Sequence, residues 1–268
     1  MAKRTRKRGS QKPPHTRAAT AFVANAKSLV GLLSLIQRDL GYFVTQLRTL
    51  DARMSKGKLV TMATLREARS RLREARSTLR EARSRTKETE RTLRLIIEWS
   101  VVMLVTFTET YLQDVLSDAA SLGPDLMADS EQSATYDEVL AARSTDVLAE
   151  ALRARWARTF VDKGGPTKWI ERLGRMGARR YPAGLAPSME ELWGVRHVVV
   201  HRAGVVTADF VAHHPSFGAK PGVRISIPIG HIPVWIETVS DFVRPTDAYF
   251  VRRFPSLNVE RKRRRPRG

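Results

Sequence analysis

The 268-residue sequence predicts an all-α protein with at most one short β feature, near residues 223–227. Three observations predict this class. Apolar residues recur at helical spacing from Phe22 onward, a seven-residue motif occurs three times, and capping residues precede several amphipathic segments. Apolar residues make up 42% of the chain, which is enough for a buried core, and the absence of cysteine excludes disulfides and cysteine-ligated zinc.

The first elements are a basic arm and a long helix. Residues 1–17 carry a net charge of +7 and contain two adjacent prolines, which predicts a disordered arm. A helical domain is expected over residues 18–256, followed by a basic C-terminal tail over 257–268. The first helix, about 20–52, presents an apolar seam that steps by threes and fours, which favours lengthwise packing against another helix.

An arginine-rich repeat follows the first helix. The motif Leu-Arg-Glu-Ala-Arg-Ser begins at Leu65 and recurs at Leu72 and Leu79, which predicts a coiled-coil seam of leucine and alanine. We expect one helix from about 60 to 121, roughly 90 Å long. An antiparallel hairpin of helices 20–52 and 60–92 is the simplest arrangement. The repeat is interpreted as a structural insertion, over about 60–92, rather than as an element that reads RNA.

The second half of the chain predicts shorter helices. A weak helical segment near 136–140 precedes a helix over 145–161, with Ser144 as its N-cap, and Pro166 begins a helix that ends near Met176. A capping box from Ser188 to Glu191 predicts the start of the next helix, which Gly204 ends. The final helix is expected to begin at Pro233.

The net charge of +20 indicates a polyanionic partner, with nucleic acid foremost. Residues 1–17, 65–85 and 260–268 together carry 17 of these charges, so the basicity is local. The longest apolar stretch, Leu93 to Phe107, is expected to be too short and too polar to span a membrane. We therefore expect a cytoplasmic protein with no membrane partner.

Chemistry-bearing residues concentrate in one predicted helix. On a helical wheel, Leu192, Val195, Val198 and Val199 form the core face, whereas Arg196, His197 and His201 flank a half-apolar stripe that points away from the core. Such a surface is suited to packing against a second copy of the same helix, which would bring charged groups together across a homodimer interface.

Arg196-x4-His201, followed by Ala-Gly, resembles the Arg-x4-His motif of the HEPN superfamily, in particular the branch called RiboL-PSP-HEPN. The resemblance extends to the segment from Gly204 to Asp209, the short Val-Arg-Ile-Ser-Ile run and the last helix. The helix that contains Glu109 resembles the family's upstream element, in which a polar residue approaches the site. Members are all-helical, and many are metal-independent endoribonucleases of toxin–antitoxin, abortive-infection and CRISPR systems. Two features depart from the family: His197 stands where Asn or Asp is frequent, and the arginine-rich heptads are an insertion.

The resemblance implies an endoribonuclease that needs no metal or other cofactor and leaves 2′,3′-cyclic phosphate ends, in a toxin or phage-defence role with a possible cognate antitoxin. Histidine exchanges protons near neutral pH because its ordinary pKa is about 6.5, and arginine grips phosphate with two N–H groups. We therefore assign His201 as acid and base, Arg196 as phosphate clamp and His197 as an assisting group. Glu109 is the candidate upstream residue.

Other interpretations remain open at this point. His197 and His201 have the i, i+4 spacing of metal ligands, which His213 and His214 could complete. Arg196 and His201 could also be ordinary surface residues. The main alternative function is an inactive HEPN-type RNA-binding or scaffold protein that dimerises through the same helix, and a further one is DNA association through the basic arms alone. Trp99, Trp193 and Trp235 are expected in the core.

Overall fold

The computed structural model of the protein describes residues 15–32, 34–35, 65–128 and 133–259, and for residues 65–86 and Ser216 it describes the backbone alone. The first helix, α1, covers residues 17–32. The described ranges then contain α2 (Leu65–Leu122), α3 (Tyr136–Ala141), α4 (Thr145–Asp162), α5 (Gly165–Met176), α6 (Leu185–His201), α7 (Ala208–His213) and α8 (His231–Arg253). The all-α class is confirmed: in these ranges the β structure is one antiparallel bridge between Val205 and Arg224, of which only Arg224 lies in the predicted β region near 223–227.

Helix α2 is continuous over 58 residues, close to the predicted bounds, and is therefore about 87 Å long. It contains all three heptads. The predicted coiled-coil seam of these heptads depends on side chains that lie outside the described residues. The predicted antiparallel hairpin of helices 20–52 and 60–92 also depends on residues outside the described part of the chain. By length and composition, the part of α2 from Lys87 to Leu122 is long and apolar enough to cross a membrane. The sequence prediction considered only the shorter run from Leu93 to Phe107, which is too short to do so. Half of the apolar window between Lys87 and Leu122 is buried inside the protein.

The second half of α2 forms the centre of the core. Its buried residues repeat at helical spacing and meet the apolar faces of α4, α6 and α8. On α2 these residues are Val101, Leu104, Val105, Tyr111, Leu112, Val115 and Leu116. Tyr111 also contacts Phe22 of α1, with ring centroids 6.2 Å apart. Helix α1 is thereby attached to the part of α2 that lies deepest in the core.

Two domain boundaries differ from the sequence prediction. Thr16, assigned to the disordered arm, is buried and caps α1: its Oγ1 accepts a hydrogen bond from the Ala19 amide at 3.1 Å. At the other end, the described chain continues through the 3₁₀ helix Pro255–Leu257 to Val259, whose amide donates to the His15 carbonyl at 3.2 Å. The fold therefore extends further in both directions than 18–256, because each flank is held by hydrogen bonds that composition does not indicate.

The predicted helices between residues 136 and 176 are confirmed. Thr135 and Glu138 form a capping box on α3, and the Ser144 hydroxyl accepts a hydrogen bond from the Val147 amide at the start of α4. Helix α5 has Pro166 in its first turn, where the missing N–H costs no hydrogen bond. Local capping chemistry was sufficient to predict these three elements.

The predicted start of α6 is wrong. The helix begins at Leu185, because Gly184 at φ +80° supplies the turn and Pro187 is tolerated in the first helical turn. The supposed capping box has other partners: Ser188 Oγ donates to the Gly184 carbonyl, Glu190 accepts from the Thr167 amide, and Glu191 accepts from Trp235. Helix α7, capped by Thr207, was not predicted, and α8 begins at His231 rather than at Pro233.

Candidate functional site

Helix α6 separates its residues into a buried face and a face that carries the candidate site. Leu185, Met189, Leu192, Val195 and Val198 are buried, and Val199 is half-buried at the edge of this face. On the other side Trp193 and Arg196 are half-buried, whereas His197, Val200 and His201 are exposed. The helical wheel thus predicted the orientation of these side chains correctly, because the core takes up the apolar face.

The candidate histidine is the last residue of α6, and the backbone immediately after it is tightly fixed. Both Arg202 and Gly204 donate their amides to the Val198 carbonyl, at 3.1 and 3.0 Å, which satisfies the end of the helix. Ala203 and Gly204 adopt positive φ angles of 49° and 81°. The positive φ of Gly204 favours glycine, and a β-carbon here would also lie 3.2 Å from Arg224 Nε, which is a tight contact.

The Arg-x4-His spacing brings its two side chains together. Arg196 Nη1 lies 3.1 Å from His201 Nε2. Because every polar hydrogen of a guanidinium is a donor, His201 Nε2 must be the acceptor and carry no proton in this arrangement. The His197 ring lies beside that of His201, with centroids 4.9 Å apart. One arginine and two imidazoles therefore share the exposed end of α6.

The Nε atom of Arg196 differs from Nη1 in its hydrogen bonding. This nitrogen is buried and has no hydrogen-bond partner among the described residues. A buried N–H without an acceptor is unfavourable by about 1–3 kcal/mol. Among the described residues, the Arg196 guanidinium makes its hydrogen bond to His201 through Nη1, while its buried Nε has no acceptor.

Glu109 of α2 lies next to this arginine. Its Oε1 accepts a hydrogen bond from Trp193 Nε1 at 3.2 Å, and Trp193 stacks edge-on against Trp169. Burial raises the pKa of Glu109, and the Trp193 hydrogen bond and the positive charge of Arg196 oppose that rise. Glu109 is therefore connected to the residues of α6 through its contact with Trp193 and the electrostatic field of Arg196.

The pKa of His197 is lowered from its ordinary value. Desolvation is the largest cause, followed by electrostatic interactions with His201, Arg202 and Arg196. Each of these disfavours the imidazolium form. His197 therefore keeps its neutral form to lower pH than an isolated histidine, which is the state that accepts a proton.

The four histidines proposed as a metal site do not converge. His213 bonds its own helix, through the Asp209 carbonyl at 2.8 Å, and His214 packs on Phe210. His214 also approaches Gly194, where a β-carbon would be 2.5 Å from its Nε2. Within the described ranges no three His, Cys, Asp or Glu side chains are grouped closely enough to hold a metal ion. The metal interpretation therefore has no geometric support there.

An ion pair that the sequence did not indicate holds the loop behind the site. Glu98 of α2 is only 5% exposed, and Arg224 donates to it through Nε at 3.2 Å and Nη2 at 2.9 Å. Arg224 is also the partner of Val205 in the β-bridge. Because these residues are 126 positions apart, no local pattern could have paired them. The loop that follows His201 is thereby tied to α2.

Exposed apolar side chains adjoin this ion pair. Trp99, next to Glu98 in the chain, is 64% exposed, contrary to the expectation that it lies in the core. Val205 and Val223 beside the bridge, and Val200 beside His201, are also exposed. We call these four residues the exposed apolar group. Trp235, by contrast, is buried as predicted, and Trp193 is half-buried.

Comparison of the chain with protein-family models, with curated proteins and with solved structures found no match.

Proposed function

We propose that this protein is a metal-independent endoribonuclease of HEPN type that acts as a homodimer. The observation that carries the proposal is the contact between Arg196 and His201 at the exposed end of α6. It combines a proton-exchanging group with a phosphate-binding group, the two functions that cleavage next to a ribose 2′-hydroxyl requires.

In this proposal the RNA phosphate first binds the Arg196 guanidinium. Arg196 Nη1 then turns from His201 to the phosphate, which frees the lone pair on His201 Nε2. That nitrogen takes the proton of the 2′-hydroxyl while the 2′ oxygen forms a bond to phosphorus and the bond from phosphorus to the 5′ oxygen breaks. The 5′ oxygen leaves with a proton from His201 of the second copy. The products carry a 2′,3′-cyclic phosphate and a 5′-hydroxyl.

Two neighbouring residues support this chemistry. His197 keeps its neutral form because desolvation and nearby cations lower its pKa, so it assists as a proton acceptor. Glu109 is a positioning residue: it holds Trp193 and supplies negative charge beside the half-buried arginine. Neither role requires a metal ion or another cofactor.

The homodimer is supported by the exposed apolar group. Trp99, Val200, Val205 and Val223 present apolar surface near the residues that end α6 or anchor the loop behind it. Large exposed apolar residues beside a polar site are typical of interaction surfaces. A second copy on this face would bring two Arg196–His201 pairs to one interface.

The test is incubation of the full chain with mixed single-stranded and structured RNA in EDTA. We expect 2′,3′-cyclic phosphate products, and a loss of cleavage of at least about 10²-fold in His201→Ala and Arg196→Ala. His213→Ala is the matched control, because His213 is an exposed histidine that interacts with Asp209 of its own helix and does not contact Arg196 or His201 among the described residues. DNA of the same sequence stays intact, since it lacks the 2′-hydroxyl.

One observation favours the alternative, an inactive RNA-binding or scaffold protein: the His201 lone pair is occupied by Arg196. RNA that is bound but uncleaved by the wild-type chain and by both variants would contradict the enzyme and support the scaffold. A cognate antitoxin and a role in phage defence stay proposals that follow from the enzyme.

A further inference from the structure

One surface of helix α5 is strongly basic, although it lies outside the three segments that account for most of the net charge. Residues 163–180 contain six lysines and arginines and one acidic residue, Glu171, which gives a net charge of +5. Five of the six basic residues are exposed, and Arg172 is half-buried because it donates to the Phe160 carbonyl of α4 at 3.2 Å. We call these six residues the α5 basic surface: Lys163, Lys168, Arg172, Arg175, Arg179 and Arg180.

The helical spacing of α5 places its basic residues on one side. At 3.6 residues per turn, Lys168, Arg172 and Arg175 fall within a sector of about 60°, and Glu171 lies outside that sector. The neighbouring sector holds the buried Trp169, so the basic residues border the core face of the helix without entering it. The result is a continuous basic stripe along one side of α5.

The protein does not neutralise the charges of this surface. Elsewhere, Arg155, Arg244 and Arg253 each form an ion pair with a carboxylate. Within the described ranges, none of the five exposed members of the α5 basic surface forms such a pair. Like charges without counter-charges repel one another in the folded protein and raise the local concentration of anions. The surface is therefore suited to an anionic partner.

The α5 basic surface lies next to the helix that carries the proposed site. Trp169 of α5 packs edge-on against Trp193 of α6, with ring centroids 5.2 Å apart, and Trp193 is one turn before Arg196. The Thr167 amide also donates to Glu190 of α6, at 3.0 Å. Packed helices lie about 10 Å apart, so a strand bound at Arg196 reaches α5 after crossing the width of one helix.

The composition of the surface favours nucleic-acid phosphate over an acidic protein. Four of its six residues are arginines, whose planar fork fits phosphate oxygens. Residues 163–180 are all described, and they include none of the large exposed apolar side chains, whereas protein interfaces usually have an apolar centre. A phosphate backbone is bound through charge and hydrogen bonds and needs no apolar contact.

We propose that the α5 basic surface binds the phosphate backbone of the RNA strand that is cleaved at the end of α6. The proposal rests on the proposed function, because this strand is the substrate of that site. Arg196 and His201 act at one phosphate, and the α5 basic surface holds phosphates further along the strand. Contacts of this kind stabilise the bound substrate and the transition state equally, so they lower KM and leave kcat unaffected.

The experiment measures RNA binding separately from RNA cleavage. The full chain carries His201→Ala, and its binding to labelled oligouridylate is followed by fluorescence anisotropy over a range of salt. Because this background is expected not to cut RNA, a failure of cleavage in wild type and a failure of the α5 basic surface are distinguishable. Cleavage kinetics are measured in parallel in chains that retain His201.

The variants differ in which exposed charges they remove. The test variant neutralises three exposed members of the α5 basic surface and keeps the contact between α5 and Phe160: Lys168→Gln, Arg175→Gln and Arg179→Gln. The matched control neutralises three exposed basic residues on other parts of the chain: Lys27→Gln, Lys87→Gln and Arg143→Gln. Circular dichroism confirms that both proteins fold.

We expect the test variant to bind oligouridylate at least about tenfold more weakly, with a slope of log K against log salt that falls by about 2, since each phosphate contact contributes about 0.7 for a single strand. The control loses less affinity and keeps the wild-type slope. In chains that retain His201, the test substitutions raise KM. In wild type, bound oligouridylate protects Lys168 from acetylation, measured by mass spectrometry, and leaves Lys27 accessible.

The proposal is overturned if the test variant and the control lose affinity equally, if the salt slope does not fall, or if oligouridylate leaves Lys168 as accessible to acetylation as Lys27. A fall in kcat at constant KM also contradicts it, because the surface would then act on the chemical step. Binding of poly-L-glutamate as tight as that of oligouridylate, and equally sensitive to the test substitutions, overturns the choice of RNA in favour of an acidic protein.

Discussion

At the scale of single residues, the site depends on positive charges placed close to one another. His197 lies against His201 and within the field of Arg196 and Arg202, all on or directly after the last turns of α6. Desolvation is the largest cause that lowers the pKa of His197, and these neighbours lower it further. In the contact with Arg196, His201 Nε2 is the hydrogen-bond acceptor.

This arrangement makes Arg202 a residue whose loss can be measured at its neighbour. We expect Arg202→Gln to raise the pKa of His197, because one of the cations that disfavour its imidazolium form is removed. NMR titration of the histidine ring signals measures this shift. Lys163→Gln is the control, since this exposed lysine is not among the causes of the shift. An unchanged His197 titration in Arg202→Gln would mean that Arg202 does not contribute to the lowered pKa of His197.

At the scale of elements, the position of His201 depends on how α6 ends. The Gly204 amide donates a hydrogen bond to the Val198 carbonyl, and the Gly204 carbonyl accepts one from the Ile225 amide at 2.8 Å. These two bonds join the end of α6 to the loop that carries Arg224. Arg224 in turn binds the buried Glu98 on α2. Helix α2 therefore fixes the site twice, through Glu109 beside Arg196 and through Glu98 behind His201.

Removal of Arg224 tests this second attachment. We expect Arg224→Ala to lower the free energy of unfolding by about 1–3 kcal/mol, because it leaves the Glu98 carboxylate buried without its partner. Arg244→Ala is the matched control: Arg244 also binds two carboxylates, of Glu237 and Asp241, but at the surface, where the effect is about 0.5 kcal/mol or less. Chemical denaturation measures both values. Equal losses in the two variants would show that burial of Glu98 does not matter.

At the scale of the whole molecule, α1 and α8 are joined by a buried carboxylate. Burial raises the pKa of Asp247 above its ordinary 3.8, and the hydrogen bonds from Thr16 and the nearness of His15 oppose that rise. Tyr111 of α2 also lies within its field. The folded protein thus holds the Asp247 proton more tightly than the unfolded chain does.

The sign of the resulting pH dependence follows directly. Stability from a raised carboxyl pKa is fully present below the unfolded value and is lost as pH rises through the folded value. We expect the unfolding free energy of wild type, relative to Asp247→Asn, to fall over that interval, because asparagine does not titrate. Denaturation of both proteins at a series of pH values measures this difference. A difference that stays constant with pH would contradict a raised pKa.

Prediction from sequence succeeded where the determinants are local. Caps such as Ser144 and the apolar periodicity of α6 involve residues within a turn or two of each other, and they predicted α3, α4, α5 and the direction of Arg196 and His201. The resemblance to HEPN proteins added Glu109, which lies within the electrostatic field of Arg196; its role in the site stays a prediction.

Prediction from sequence failed where residues that are far apart in the chain determine the local structure. The Ser188 capping box did not form, since Gly184 and the partners of Glu190 and Glu191 on other helices set a different helix start. The Glu98–Arg224 and Thr16–Asp247 pairs join residues more than 100 positions apart. Trp99 is exposed although its type favours burial, because the apolar face of α2 that meets the other helices does not include it.

The adjacency of His15 and Val259 also determines how the fold would respond to mechanical force. We expect a pull on His15 and Val259 in opposite directions to load the hydrogen bond between them first, and the Thr16 contacts to Asp247 next. These contacts therefore form the first mechanical barrier to separating the two flanks of the fold.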